Sequence, residues 1–125
     1  MLKIACGTDI IEVARIEKSI ANTNGRFIEE IYTEKEIQYC ESRGKSKYEH
    51  YAARFAAKEA IFKAISSFLE NKYDISWQNV QIINDNKGKP YIDFINTEFK
   101  QIKSIDISVS HIKEYAIANV VLLYE

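Results

Sequence analysis

The stretch Phe55-Ala56-Ala57-Lys58-Glu59-Ala60-Ile61-Phe62-Lys63 places one carboxylate and two ammonium groups within two turns of a helix. Helical spacing sets Glu59 and Lys63 one above the other, and Lys58 opens a neighbouring row. A metal-binding acid beside phosphate-binding bases has this pattern, and so does a solvated ion pair. Around it, Ala53, Ala57, Ala60, Ala64 and Phe68 fall in a narrow arc flanked by Ile61 and Ile65. That spacing predicts a long central helix over residues 48–70, with small side chains that let a sheet or helix approach closely. Phe55 and Phe62 project from the far side, close to Glu59. A helix apolar on two sides is either sandwiched in the core or packed against another subunit.

N-terminal to this helix, residues 2–6 alternate as a short strand, broken by Gly7-Thr8-Asp9. Gly7 reads as a simple turn or as a close backbone approach at a site. Val13, Ile16 and Ile20 then form one stripe of a helix over residues 12–21. Residues 26–32 carry a second short helical pattern. Thr33 followed by Glu36 is a capping box that starts a third helix, which Ile37 and Cys40 continue. Residues 41–47 are polar and aperiodic, which predicts a solvated loop. Beyond Asp74 the period becomes two, with strands at 80–83 and 91–95 around a turn at 84–88 that contains Gly88. Ile105, Ile107 and Val109 alternate with polar residues, the chain turns at 111–114, and 116–123 is an apolar strand. The sum is a single α+β domain spanning residues 1–125, with a long central helix packed on an antiparallel sheet and most strands following the helices.

A chain of 125 residues suffices for one core. An apolar fraction of 46% with one proline and four glycines describes an ordered globular chain. Seventeen basic residues against eighteen acidic ones leave a net charge of −1, which supplies no electrostatic footprint for nucleic acid. Cys6 and Cys40 make no disulfide framework and are expected as small buried hydrophobes. No signal segment opens the chain and no run of ~18 apolar residues suggests a membrane span, so a cytoplasmic location is the default.

Asp9 is expected where a strand yields to a helix, as an exposed functional acid or as a helix cap. Arg15 is most simply a surface residue of the first helix. His111, at a strand end, is a solvent-facing turn residue, a phosphate ligand or a proton carrier. His50 has no supporting context and reads as structural or exposed. Two carboxylates with two lysines suit a hard divalent cation with phosphates, and magnesium takes few protein oxygens. No Gly-rich phosphate loop and no G-x-S-x-G elbow is present, so nucleoside-triphosphatase and acyl-hydrolase chemistry are unsupported.

These pieces match one family. Gly7-Thr8-Asp9-Ile10-Ile11-Glu12-Val13-Ala14-Arg15-Ile16 resembles the opening motif of the holo-[acyl-carrier-protein] synthases, the small bacterial 4'-phosphopantetheinyl transferases. Arg54-Phe55-Ala56-Ala57-Lys58-Glu59-Ala60-Ile61-Phe62-Lys63 resembles their second signature. Asn86-Lys87-Gly88-Lys89-Pro90-Tyr91 and residues 108–117 resemble their turn and closing hairpin. The resemblance implies a phosphopantetheinyl transferase-like fold and transfer of 4'-phosphopantetheine from coenzyme A to a serine of apo acyl carrier protein. It assigns Asp9 and Glu59 to magnesium and to catalysis with Lys63, and sets Arg54, Lys58, Lys63 and His111 around coenzyme A. Arg15 falls where the family docks its acidic carrier protein. A homotrimer with active sites between subunits is implied as well, and would account for Phe55 and Phe62. One departure stands out: many members follow the second signature with Gly-Thr-Gly, whereas Ala64-Ile65-Ser66-Ser67-Phe68-Leu69 continues the helical pattern here. The residues alone leave two other readings open, a non-enzymatic interaction protein and a magnesium-dependent hydrolase of coenzyme A.

Overall fold

Residue size at Gly7 sets how closely helix and sheet pack. In the computed structural model, which describes residues 1–71 and 74–125, the first strand β1 spans Lys3–Glu12 and α1 spans Val13–Ala21. Two short helices follow, α2 (Arg26–Ile31) and α3 (Glu34–Glu41), then the long helix α4 (Lys47–Ile65). The chain ends in four strands, β2 (Val80–Asn84), β3 (Pro90–Phe94), β4 (Ile102–His111) and β5 (Tyr115–Tyr124). They form a three-stranded antiparallel sheet in the order β1-β5-β4 and a separate β2-β3 hairpin. The first and last strands are therefore partners, and the terminal ammonium of Met1 reaches Glu125 at 2.8 Å. The architecture is α+β with α4 against the sheet, as the periodicity predicts.

α4 packs Ala57, Ala60 and Ala64 against Ala5, Ala118 and Val120 of the sheet, all of them buried. A Cβ on Gly7 would collide with the Ala60 carbonyl oxygen and stand 3.0 Å from the Ala64 amide nitrogen. The close-approach reading of Gly7 is the right one, because both colliding groups are backbone and cannot swing aside. Gly7→Ala is expected to destabilise the protein by about 3 kcal/mol, measured as a lower urea midpoint at unchanged slope. A midpoint equal to wild type would show that helix and sheet are not in contact there.

Several expectations change. Gly7, Thr8 and Asp9 do not break β1; they pair with Val120, Asn119 and Ala118, and the strand continues to Glu12. Strand alternation then turns the small residues Ala5 and Gly7 toward α4 and leaves Ile4, Cys6 and Ile10 on the open face. Cys6 is consequently exposed, not buried, while Cys40 is buried as expected. α4 stops at Ile65, not at residue 70. Ser66 ends it by donating its hydroxyl to the Lys63 carbonyl at 2.6 Å, an alternative to helix continuation. The helical pattern expected to continue through residues 64–69 therefore ends after Ile65. Residues 44–46, expected as loop, form a short 3-10 turn that leads into α4.

Phe55 and Phe62 are covered within the chain. Trp77 stacks on Phe55 at 5.3 Å and meets Phe62 edge-on at 5.0 Å between ring centroids. The second apolar side of α4 faces its own chain, so these two residues give no support to a subunit contact.

Candidate active site

Asp9 shares the α4-facing side of β1 with Ala5 and Gly7. Because Gly7 lets α4 settle against the strand, the turn beyond Ala60 brings Lys63 onto Asp9. The Lys63 ammonium lies 3.2 Å from Asp9 Oδ1 and donates to the Thr8 carbonyl at 2.8 Å. Glu59, one turn back on α4, completes the cluster. Burial raises its carboxyl pKa above the usual range and the Asp9 charge adds to the rise, while Lys63 opposes it. Two carboxylates thus converge with a single ammonium, leaving excess negative charge at a half-buried point. A hard divalent cation fits this donor set, since magnesium needs only one or two carboxylates and completes its shell with waters or phosphates. Among the described residues no three His, Cys, Asp or Glu side chains form a larger metal cluster.

Lys58 does not join this site. Its ammonium is fully buried, 2.7 Å from Glu36 Oε1, and donates to the carbonyls of Ile31 at 2.6 Å and Trp77 at 3.0 Å. Glu36 accepts in turn from the amides of Thr33 and Ile82, both at 2.8 Å. Burial lowers the Lys58 pKa against the pull of Glu36. With its donors committed inside the core, Lys58 cannot reach a cofactor phosphate. The capping box at Thr33 and Glu36 is visible in the sequence, but nothing in its spacing announces that Glu36 also neutralises a lysine on another helix.

Arg54 and His111 meet elsewhere, in a cleft of about 170 Å³ that also borders Tyr39, His50, Asn84 and Gly88. Arg54 donates from Nη2 to Asn84 Oδ1 at 2.6 Å, and its guanidinium stacks over the Tyr39 ring at 4.0 Å. Its Nε is buried without a hydrogen-bond partner among the described residues. His111 Nδ1 lies 3.0 Å from Glu49 Oε1, and its ring meets that of His50 at 4.8 Å. Burial, reinforced by His111 and Arg54, pushes His50 down to about 4, so it stays neutral near pH 7. His50 is a residue that sequence reasoning missed, because its partners lie on other elements. Gly88 adopts φ +85° in the β2-β3 turn and brings that turn to the cleft.

The acid cluster and the cleft occupy opposite sides of α4. Successive residues turn by ~100°, so Glu59 and His50 point in opposite directions, ~14 Å apart along the axis. Asp9 and His111 likewise belong to β1 and β4, the two edges of the sheet. Arg15 is exposed on α1, beside a groove it shares with Lys18, Ser19, Asn22 and Phe27.

Known proteins share this fold and much of this sequence. The family model described as the 4'-phosphopantetheinyl transferase superfamily matches residues 5–120. The holo-[acyl-carrier-protein] synthase of Ruminiclostridium cellulolyticum is 40% identical over 126 residues, covering 97% of this chain and 92% of that protein. The holo-(acyl-carrier-protein) synthase of Bacillus anthracis, solved in complex with CoA (3',5'-ADP), superposes with a TM-score of 0.81 at 34% identity, over the whole of both chains. The Helicobacter pylori enzyme, solved with coenzyme A, gives 0.79 at 31% identity, covering 94% of this chain and 98% of that one. With a family model spanning residues 5–120 and a relative 40% identical over 97% of its length, this chain belongs to the 4'-phosphopantetheinyl transferase superfamily.

Proposed function

We propose that this protein transfers 4'-phosphopantetheine from coenzyme A to a serine of apo acyl carrier protein, giving the holo carrier and adenosine 3',5'-bisphosphate. The observation that carries the reading is the convergence of Asp9, Glu59 and Lys63 at the edge of the sheet in a chain of this family. The serine oxygen attacks the phosphorus that bears pantetheine, and the bond from that phosphorus to the departing bisphosphate breaks. Lys63 is exposed enough to leave Asp9 and donate to a phosphate oxygen as charge develops there. Glu59, directly or through a water, is the candidate acceptor for the serine proton. Asp9 and Glu59 would hold magnesium, which when bound neutralises diphosphate charge and stabilises the leaving group. Arg54 and His111 would bind phosphate at the other end of coenzyme A.

Incubation with coenzyme A, magnesium and an apo carrier protein tests the whole reading. The carrier should gain the mass of one phosphopantetheinyl group, and no gain with folded protein would sink it. Release of free 4'-phosphopantetheine without a carrier would point instead to a hydrolase. The setting is lipid biosynthesis in the cytoplasm, with the fatty-acid carrier protein as expected partner. None of the described helices is long and apolar enough to cross a membrane.

Carrier docking falls to α1. Arg15 and Lys18 present positive charge beside Phe27 in an open groove, which suits an acidic helical partner. Arg15→Glu should raise KM for the carrier about tenfold at low salt, less at 0.5 M salt, with KM for coenzyme A unchanged. If only the coenzyme A value moved, Arg15 would belong to the cofactor site.

The active unit is a homotrimer whose sites lie between subunits. Support comes from the sheet face opposite α4, where Ile4 is 72% exposed, Ile10 61%, Ile117 41% and Val121 46%. Register sets Ile10 beside Ile117 and Cys6 beside Val121, with the Thr8 hydroxyl donating to Asn119 Oδ1 between them. An apolar sheet face of this extent calls for a cover. The number three rests on the family resemblance.

A further inference from the structure

We propose that Glu49 is a positioning residue for His111, accepting the Nδ1 proton so that Nε2 is presented to a phosphate in the cleft. The inference rests on the reading of that cleft as part of the coenzyme A site. Glu49 and His111 come from distant elements, the first turn of α4 and the last residue of β4, yet their side chains meet at 3.0 Å. Both are largely withdrawn from solvent, with 24% and 29% of their side-chain surface exposed. An ionised carboxylate can only accept, so the shared proton sits on Nδ1 and fixes the tautomer and the plane of the ring.

The surroundings make that orientation consequential. His111 borders the cleft together with Arg54, whose buried Nε has no described partner. His50 packs edge-on against His111 from α4, and Tyr39 packs against His50 from α3, so the ring is held on its flank as well. The neutral His50 adds no charge to the cleft near pH 7. What faces an incoming anion is then the Arg54 guanidinium and Nε2 of His111. With Nδ1 already bonded to Glu49, Nε2 is the ring nitrogen left for a ligand in the cleft. A histidine held by a carboxylate on its far nitrogen is a recurring way to aim the near one.

Glu49 also lies in the first turn of α4, where any acid favours the helix dipole. The test must therefore separate an effect through His111 from an effect on the helix. Calorimetric titration with adenosine 3',5'-bisphosphate would compare wild type, Glu49→Gln, Glu49→Asp, His111→Ala and the double variant Glu49→Gln/His111→Ala. Glu49→Gln should weaken binding about tenfold in the wild-type background and by less than about twofold once His111 is alanine. Glu49→Asp should recover part of the loss, and kcat at saturating coenzyme A should stay within about twofold of wild type. On free protein labelled with 15N at histidine, His111 should show a single Nδ1-protonated form in wild type and mixed tautomers in Glu49→Gln. Equal losses in the two backgrounds, unchanged affinity in Glu49→Gln, or unchanged 15N signals would each overturn the proposal. If wild type itself failed to bind adenosine 3',5'-bisphosphate, the coenzyme A reading would fall, whereas the 15N comparison would still decide whether Glu49 holds the ring.

Discussion

Asp9→Asn and Glu59→Gln are each expected to cut holo-carrier formation by about a hundred- to a thousandfold at saturating coenzyme A and magnesium. Each change preserves size and removes one charged oxygen donor from a site where two carboxylates face one ammonium. Stability should move the other way for Glu59→Gln. The folded-state pKa of Glu59 is raised above its unfolded value, so the stability its proton contributes is present at low pH and lost as pH rises through that raised value. Without metal, Glu59→Gln should therefore melt a few degrees above wild type at pH 8 and level with it at about pH 4. If the two carboxylates hold magnesium as proposed, added magnesium should stabilise wild type and leave the variant nearly unmoved. A variant that lost activity and also melted lower would mark Glu59 as a structural residue. A variant with wild-type turnover would remove it from the site.

Opposite trends of this kind are expected where a fold holds like charges together for chemistry, and the fold here does so through Gly7. That residue shows how far the sequence could be read. The alanine arc on α4 predicts a closely packed partner, and Gly7 reads as a turn or a close backbone approach. Their meeting was not visible, because β1 and α4 are separated by three helices. The same strand explains a reversed face. Residues 2–7 offer two alternating sets, Lys3, Ala5 and Gly7 or Leu2, Ile4 and Cys6, and hydrophobicity alone assigns the second set to the core. Helix-to-sheet distance decided otherwise, turning Ile4, Cys6 and Ile10 outward. The proximity of Glu59 and Lys63 is legible in their helical spacing, and the structure adds Asp9 to them. The placement of Lys58 is not legible there, because its distinction from Lys63 depends on Glu36, which lies on α3 beneath it. The Glu49-His111 bond is likewise a product of tertiary structure, joining residues 62 positions apart.

The division of the site across α4 yields a sharper test of assembly than sedimentation alone. Asp9 and Glu59 come together within one chain, so mixing Asp9→Asn protein with Glu59→Gln protein should restore nothing. Arg54 belongs to the cleft on the far side of the helix, where one ligand molecule cannot reach both groups of the same chain without passing around α4. If coenzyme A is bound by the acids of one subunit and the cleft of its neighbour, Asp9→Asn and Arg54→Ala are complementary defects. Each variant alone should be nearly inactive. After unfolding together and refolding at equal ratio, a site is whole whenever a subunit with intact acids abuts a subunit with an intact cleft. Random assortment in a closed ring makes about one quarter of the sites whole, so activity should return to about a quarter of the wild-type value. Activity should fall as either variant is made the majority species. Recovery requires the contact between chains, so dilution below the assembly constant should abolish it together with wild-type activity. Absence of any recovery from a mixture shown to contain mixed oligomers would place all of these residues in one chain's own site, and the composite reading would have to be given up.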